Sequence, residues 1–396
     1  MTLEPTWRWF GPSDPITLKE VRQTGATGIV TALHHIPIGE VWSVDEIMKR
    51  KSDIESEGLR WSVAESLPVH EEIKKRKGNY GQRTENYKTS LRNLGHCGVD
   101  TVCYNFMPVL DWSRTALEVE FKDGSITTKF EAKAFAAFDL FILNRPNATR
   151  DYSDEQYRQA KKYCEGLDED RKEQLREAVL LGFPGSKEAY TLEQFKLALR
   201  EYDDVGDEGL RENLYGFLRE IIPVAEEFGV SMAIHPDDPP WPLLGLPRVV
   251  SNKHDVEQLL HVVNSPSNGL TLCTGSLGAG GQNDLVDMAD RFANRVSFIH
   301  LRNVTKSGEG DFLEDNHLEG DVDMYGVIKA LILEQKRREG EGRRDTRLPM
   351  RPDHGHLMIA DQKKANIYPG YSLFGRMRGL SELRGMELGI RRSLGL

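Results

Sequence analysis

The chain has 396 residues, 39% apolar and 29% charged, with a formal net charge of −10. Such a chain has ample length for a large core, and its acidity argues against non-specific nucleic-acid binding and against a basic membrane patch, though not against a small anion held at a locally positive site. No apolar stretch is long enough to span a bilayer, residues 1–10 lack a basic region followed by an apolar segment, and Cys97, Cys103, Cys164 and Cys273 show no CxxC spacing, so a cytoplasmic protein with reduced thiols is expected.

The first apolar run, 6–11, reads as a strand, and a helix over 17–23 follows it behind Asp14 and Pro15. A strand at 28–33 leads to a helix over 44–57, with Ser43 as N-cap and Gly58 as stop. A strand at 60–65, a helix over 86–94 and a strand at 101–106 complete the first half. The stretch 112–207 is then far longer than a crossover needs. It is strongly charged from 151 onward, with helical patches at 155–165 and 192–202. It reads as a helical insertion that covers a barrel mouth or meets another subunit.

Beyond it, a helix over 212–228 stops at Gly229 and precedes a strand at 232–237. Further strands fall at 271–276, 297–302 and 349–354, with helices over 284–293 and 323–339 before the last two. A final helix spans 372–394. The glycine-rich run from Gly275 to Gly281 reads as a flexible active-site loop, and no Gly-x-Gly-x-x-Gly follows an early strand. Eight strands alternating with helices favour an α/β fold of the (β/α)8 TIM-barrel kind over an open doubly wound sheet. The expected organisation is one domain over 1–396 with a helical insertion after the fourth strand, at 112–207.

Four of the strand candidates end in a residue that binds metals: Met232-Ala233-Ile234-His235, Leu270-Thr271-Leu272-Cys273, Ser297-Phe298-Ile299-His300 and Pro349-Met350-Arg351-Pro352-Asp353. A lone histidine at a strand end is more often a hydrogen-bonded structural group, and a lone cysteine a small apolar filler. Four such residues at four consecutive strand ends are hard to obtain from unrelated structural roles, because carboxyl strand ends are where barrels place their chemistry. Imidazole, thiolate and carboxylate together suit a borderline divalent ion, with zinc or iron(II) the first choice from softness alone. Arg302 and Asn303 follow His300 and add a cation and an amide. His34, His35, Glu65, His70 and the Tyr104-Asn105-Phe106 run lie at earlier strand ends, where a hydrogen-bonded loop role is equally open. Trp7, Trp9, Trp42, Trp61 and Trp112 cluster near the first four strands and read as core packing before aromatic walls.

Several longer motifs stand in one order. They are Trp7-Arg8-Trp9, Thr31-Ala32-Leu33-His34-His35, Val41-Trp42-Ser43-Val44, the run from Tyr104 to Trp112, His235-Pro236-Asp237-Asp238-Pro239-Pro240, Cys273-Thr274-Gly275-Ser276, His300-Leu301-Arg302, Gly320-Asp321-Val322-Asp323-Met324 and Arg351-Pro352-Asp353-His354-Gly355-His356. Together they resemble the mannonate dehydratase family of hexuronate breakdown. The resemblance implies a xylose-isomerase-like TIM barrel that dehydrates D-mannonate to 2-dehydro-3-deoxy-D-gluconate with Mn²⁺ or Fe²⁺. It implies metal ligands at His235, Cys273, His300 and Asp353, and an acid/base pair at His354 and Tyr371, with Tyr368 close to the latter in sequence. The order of acid and base stays open. Arg302, Asn303, His34, His35 and Asn105 are candidate substrate-binding residues by strand-end position. A metal-dependent sugar isomerase or epimerase on the same barrel is the alternative enzyme, although such enzymes surround the metal with more carboxylates. A metal-free sugar-binding barrel is the alternative outside enzymes. The expected partners are a small sugar acid and further copies of the chain, since barrels commonly pair, with no nucleic acid and no membrane.

Overall fold

Short apolar runs with branched side chains become parallel strands when both faces are covered. In the computed structural model, which describes residues 2–181, 191–308 and 310–396, the strands are β1 (Glu4–Arg8), β2 (Gly28–Thr31), β3 (Arg60–Glu65), β4 (Thr101–Tyr104), β5 (Ala116–Glu120), β6 (Ile126–Phe130), β7 (Ser231–Ile234), β8 (Asn268–Cys273), β9 (Val296–His300), β10 (Asn303–Lys306), β11 (Phe312–Asp315) and β12 (Pro349–Arg351). Eight of them close a parallel barrel in the order β1-β12-β9-β8-β7-β4-β3-β2. All eight expected strands fall on these, although most of the expected runs continue past the ladder. Cys273 and His300 are the last residues of β8 and β9, whereas His235 lies one residue beyond β7 and Asp353 two beyond β12.

The register explains why these ends converge. Cys273 pairs with His300 across β8 and β9, and Arg351 pairs with His300 across β12 and β9. Paired residues on parallel strands point to the same side, so three chemically active side chains share one level of the barrel. Below them, Val30, Val63, Cys103, Ala233 and Phe298 fill the interior and are at most 2% exposed. Phe298 also meets the His300 ring edge-to-face at 4.4 Å. Replacing Phe298 with alanine is expected to destabilise the fold by about 3–5 kcal/mol, read as a lowered urea midpoint.

The outer helices largely follow the sequence pattern. Helix Val44–Ser56 is capped by Ser43, whose hydroxyl accepts from the Glu46 amide. Helices Leu18–Gln23, Tyr80–His96, Asp207–Glu227, Leu285–Phe292, Met324–Gly340 and Leu373–Ser393 fall on the other expected ones. Helix Lys253–Val262, between β7 and β8, was not expected. Among the described residues no helix is long and apolar enough to cross a membrane.

Two differences bear on the site. The Gly275–Gly281 stretch was expected as a flexible loop, but Thr274–Ala279 forms a short buried helix. Its glycine composition serves close packing instead: a Cβ on Gly275 would lie 1.9 Å from Nε of Arg302. The second difference is a four-stranded sheet, β10-β11-β6-β5, made from the loop after β4 and the loop after β9. The stretch 112–207, expected as helical, therefore begins with the hairpin β5–β6. It continues through helices Ala132–Ala137, Asp154–Glu165, Glu169–Leu180 and Leu192–Arg200, and its residues 182–190 lie outside the described ones. Both contributing loops leave carboxyl ends of barrel strands, so this sheet stands on the side where the four strand-end residues gather.

Candidate active site

His235, Cys273 and His300 present one ligand atom each, and the three atoms lie within 4.8 Å of one another. Asp353 adjoins them, with Oδ2 3.7 Å from Sγ of Cys273 and Oδ1 3.7 Å from Nδ1 of His300. The backbone at Asp353 is left-handed, with φ 62°, a conformation that aspartate tolerates better than most residues. Nδ1–H of His235 donates to the Pro236 carbonyl at 2.7 Å, which turns Nε2 toward the cluster. Ser276 donates to Sγ of Cys273 through its hydroxyl at 3.2 Å and its amide at 3.5 Å. Burial first, then the adjacent Arg351 guanidinium, hold His300 well below the ordinary imidazole range, which keeps it neutral. Burial alone would raise Asp353, but the guanidinium groups, Arg351 first and then Arg302, outweigh it and keep the carboxylate ionised. Neutral imidazole, a sulfur with two donors and an ionised carboxylate form a donor set that fits a divalent metal.

Around this cluster runs a chain of buried ion pairs. Arg351 reaches Asp353 at 2.6 Å and donates to Glu65 at 2.9 Å. Arg302 donates to Asp238 at 2.6 Å and lies 3.4 Å from Asp353. Arg114 bridges Asp238, at 2.8 Å, and Glu314, at 2.5 Å. Nothing in the sequence pattern marks Arg114 or Glu314. Asp238 shares a proline-rich turn with Asp237, and only the fold separates their tasks. Asp237 accepts from the Val250 amide and the Ser251 hydroxyl, while Asp238 takes both arginines.

A pocket of about 480 Å³, measured out to its mouth, opens onto this layer and is lined by His235, Arg302, Arg351, Asp353, His354 and Tyr371, with Asn105 and Trp112 also on its wall. His354 and Tyr371 meet edge-to-face at 5.0 Å. A parallel bridge between Gly355 and Tyr371 brings the tyrosine alongside, and the Gly355 amide donates to the Gly370 carbonyl at 2.8 Å. Gly370 has φ +81°, and a Cβ there would lie 2.9 Å from Cγ of His354. Gly370→Ala is therefore expected to lower stability by about 1–2 kcal/mol, seen as a lower denaturant midpoint, and to push the His354 ring out of place. Burial pushes the Tyr371 phenol up to about 12, with Arg351 opposing.

The other candidates divide clearly. Asn105 and Arg302 line the pocket with His235, Asp353, His354 and Tyr371. Asn303 does not: its Oδ1 accepts from the Val304 and Val322 amides and its Nδ2 donates to the His317 carbonyl, so it braces the 317–322 loop. His35 is exposed and pairs with Glu46 at 2.7 Å. His34 packs near Phe10, ring to ring at 6.0 Å, away from the pocket wall. His70 caps helix Glu71–Lys75 through Nδ1, which accepts from the Glu72 amide. Tyr368 meets Phe10 at 4.8 Å with the rings tilted and does not line the pocket, whereas Tyr371 does. Trp112 lines the pocket, while Trp7, Trp9, Trp42 and Trp61 pack in the core.

A closed parallel barrel whose carboxyl strand ends carry a His/Cys/His cluster able to hold a metal has the architecture of a TIM barrel, the fold that places its chemistry at that end. A solved xylose isomerase-like TIM barrel protein from Mycobacterium smegmatis, in complex with magnesium, shares the fold at 12% identity, with a TM-score of 0.50 over 98% of this chain and 97% of that one. The chain belongs to the D-mannonate dehydratase (UxuA) family, a family of hydro-lyases, whose pattern matches residues 3–394. It is 56% identical over 394 residues to the mannonate dehydratase of Marinomonas sp. (strain MWYL1), covering 99% of this chain and 100% of that one. It is similar also to the crystal structure of mannonate dehydratase from Streptococcus suis serotype 2, at 35% identity and a TM-score of 0.77, covering 100% of this chain and 95% of that one.

Proposed function

We propose that this chain dehydrates D-mannonate to 2-dehydro-3-deoxy-D-gluconate and water, a step in hexuronate breakdown, with Mn²⁺ or Fe²⁺ held by His235, Cys273, His300 and Asp353. The observation that carries the proposal is one pocket lined by His235, Asp353, His354 and Tyr371. Family membership supplies the substrate class, a sugar acid.

The reaction must remove a weakly acidic hydrogen from C2 and expel a hydroxyl from C3. When bound, a divalent ion supplies positive charge against the substrate carboxylate, where charge accumulates as the C2 proton leaves. The remaining work falls to the chain's own side chains. Tyr371, raised to about 12, keeps its proton at neutral pH, which suits it to give that proton to the departing C3 hydroxyl. His354 is then the acceptor of the C2 proton. The hydroxyl leaves as water, the C2–C3 double bond forms, and the enol tautomerises to the 2-keto acid. Arg302 and Asn105, on the same wall, hold the carboxylate or hydroxyls of the substrate.

Purified protein incubated with D-mannonate and Mn²⁺ is expected to form a 2-keto-3-deoxy acid, and chelation is expected to stop it. An epimer or ketose product instead would favour the isomerase reading. No turnover by metal-loaded protein would overturn both.

A further inference from the structure

Behind His354 stands a carboxylate that the reaction above does not use. Glu314, on β11, is buried, and its Oε2 lies 2.6 Å from Nδ1 of His354. Its other oxygen is committed, because Oε1 accepts from Nε of Arg114 at 3.0 Å and from Nη2 at 2.5 Å. The backbone is held too. The Glu314 carbonyl accepts from the Thr127 hydroxyl at 2.8 Å and faces Nε2 of His356 at 3.1 Å. The carboxylate therefore has no freedom to turn away from the imidazole.

An ionised carboxylate only accepts hydrogen bonds. Burial would raise the Glu314 carboxyl, but its hydrogen bond with His354 and the Arg114 and Arg302 guanidinium groups hold it well below the usual carboxylate range, so it is ionised at neutral pH. A lone pair on Nδ1 facing that oxygen at 2.6 Å would be repulsive, so Nδ1 carries hydrogen. In neutral imidazole the lone pair then sits on Nε2. Nδ1 is also 3.3 Å from Nη1 of Arg302, but that longer contact does not compete with the charged one. Nε2 of His354 has no hydrogen-bond partner among the described residues, and the ring lines the pocket.

We propose that Glu314 is a positioning residue that holds His354 as the Nδ1–H tautomer and so presents the Nε2 lone pair to the C2 hydrogen of the substrate. The proposal rests on the reading of His354 as the base. A role confined to balancing the charge of Arg114 is the alternative it excludes.

The tautomer is measured directly, without turnover. Imidazole ¹⁵N spectra of the histidine-labelled, diamagnetic zinc-loaded protein, recorded at a pH where the ring is neutral, are assigned by comparison with His354→Asn. The expected signature is Nδ1–H. An Nε2–H signature overturns the proposal, and either result stands even if D-mannonate is not the substrate.

Glu314→Gln tests the consequence. The amide oxygen stays with the two Arg114 donors, so the NH₂ faces Nδ1 and forces hydrogen onto Nε2. With D-mannonate, kcat is expected to fall on the order of 10³–10⁴-fold, as when a triad aspartate becomes an amide, with KM and metal content within about threefold of wild type. A fall in kcat below about tenfold, or a loss expressed in KM alone, overturns the proposal. Glu314→Asp keeps the charge beside Arg114 while shortening the reach to His354. It is expected to lose less kcat than the glutamine variant, again without a change in KM, and it carries the test if the glutamine variant does not fold. Unchanged kcat in folded Glu314→Asp together with an Nε2–H ring in wild type overturns the proposal without recourse to the amide.

Discussion

Replacing His354 with asparagine is expected to lower kcat for D-mannonate dehydration by about 10²–10⁴-fold while the metal content per chain stays at the wild-type level. Asparagine is of similar breadth, and its NH₂ can donate to Glu314 as Nδ1 does. What it lacks is a nitrogen lone pair that can take a proton. The expected separation between activity and metal follows from the geometry, because the cluster of ligand atoms is built from His235, Cys273 and His300, with Asp353 beside it. Assay and metal analysis on the same preparation decide the matter. Full activity in a metal-replete variant would remove His354 from the chemistry. Parallel loss of metal and activity would make it a structural neighbour of Asp353 instead.

Apparent metal affinity should climb at least tenfold per pH unit between pH 6 and 8 and level off above about pH 9. The cause is His235. Burial opposes its protonation, but the adjoining Cys273 sulfur, and then the Asp353 and Glu65 carboxylates, raise it to about 9. The sign follows from which form binds. A metal ion takes the neutral imidazole, so below that value a proton occupies the site and must be displaced. Because Nδ1–H is spent on the Pro236 carbonyl, the displaced proton comes from Nε2. Calorimetric titration with Mn²⁺ near pH 7, in two buffers of different ionisation enthalpy, should show at least one proton released per ion. Equal affinity at pH 6 and pH 8 would contradict it.

The barrel was legible because eight apolar runs, spaced by helical patterns with recognisable starts and stops, leave few other topologies. The convergence of His235, Cys273 and His300 was legible for a related reason. His235, Cys273 and His300 each interrupt an apolar run at its carboxyl end, and parallel register carries such ends to one level. The same criterion misleads at His35 and Asn303. His35 follows a strand but sits one residue past His34 and turns outward to Glu46. Asn303 begins β10 and spends its amide on backbone groups. Position at a strand end says where a residue is, not which way it faces.

The charged wall behind the pocket was not legible. Glu314 lies in a four-residue strand near Asp311 and Asp315, and by composition that stretch reads as a solvated loop. Its burial follows from pairing with β6, almost two hundred residues earlier, and four-residue strands carry no usable periodicity. Arg114 is concealed in the same way. The glycine run after Cys273 shows the converse, since composition points to flexibility and only the neighbouring Arg302 reveals that the missing side chains make room.

Arg114 precedes β5, on the loop after β4, and Glu314 lies on β11, in the loop after β9. Their side chains are 0% and 4% exposed. Either loop settled alone would keep one pairing, Arg114 with Asp238 or Glu314 with His354, but would lose the buried Arg114–Glu314 pair, at a penalty of several kcal/mol. The four-stranded sheet thus works as an assembly check: the wall behind the base closes at low cost only when both loops have arrived, so a chain with one hairpin misplaced is penalised before it can pass for a finished enzyme.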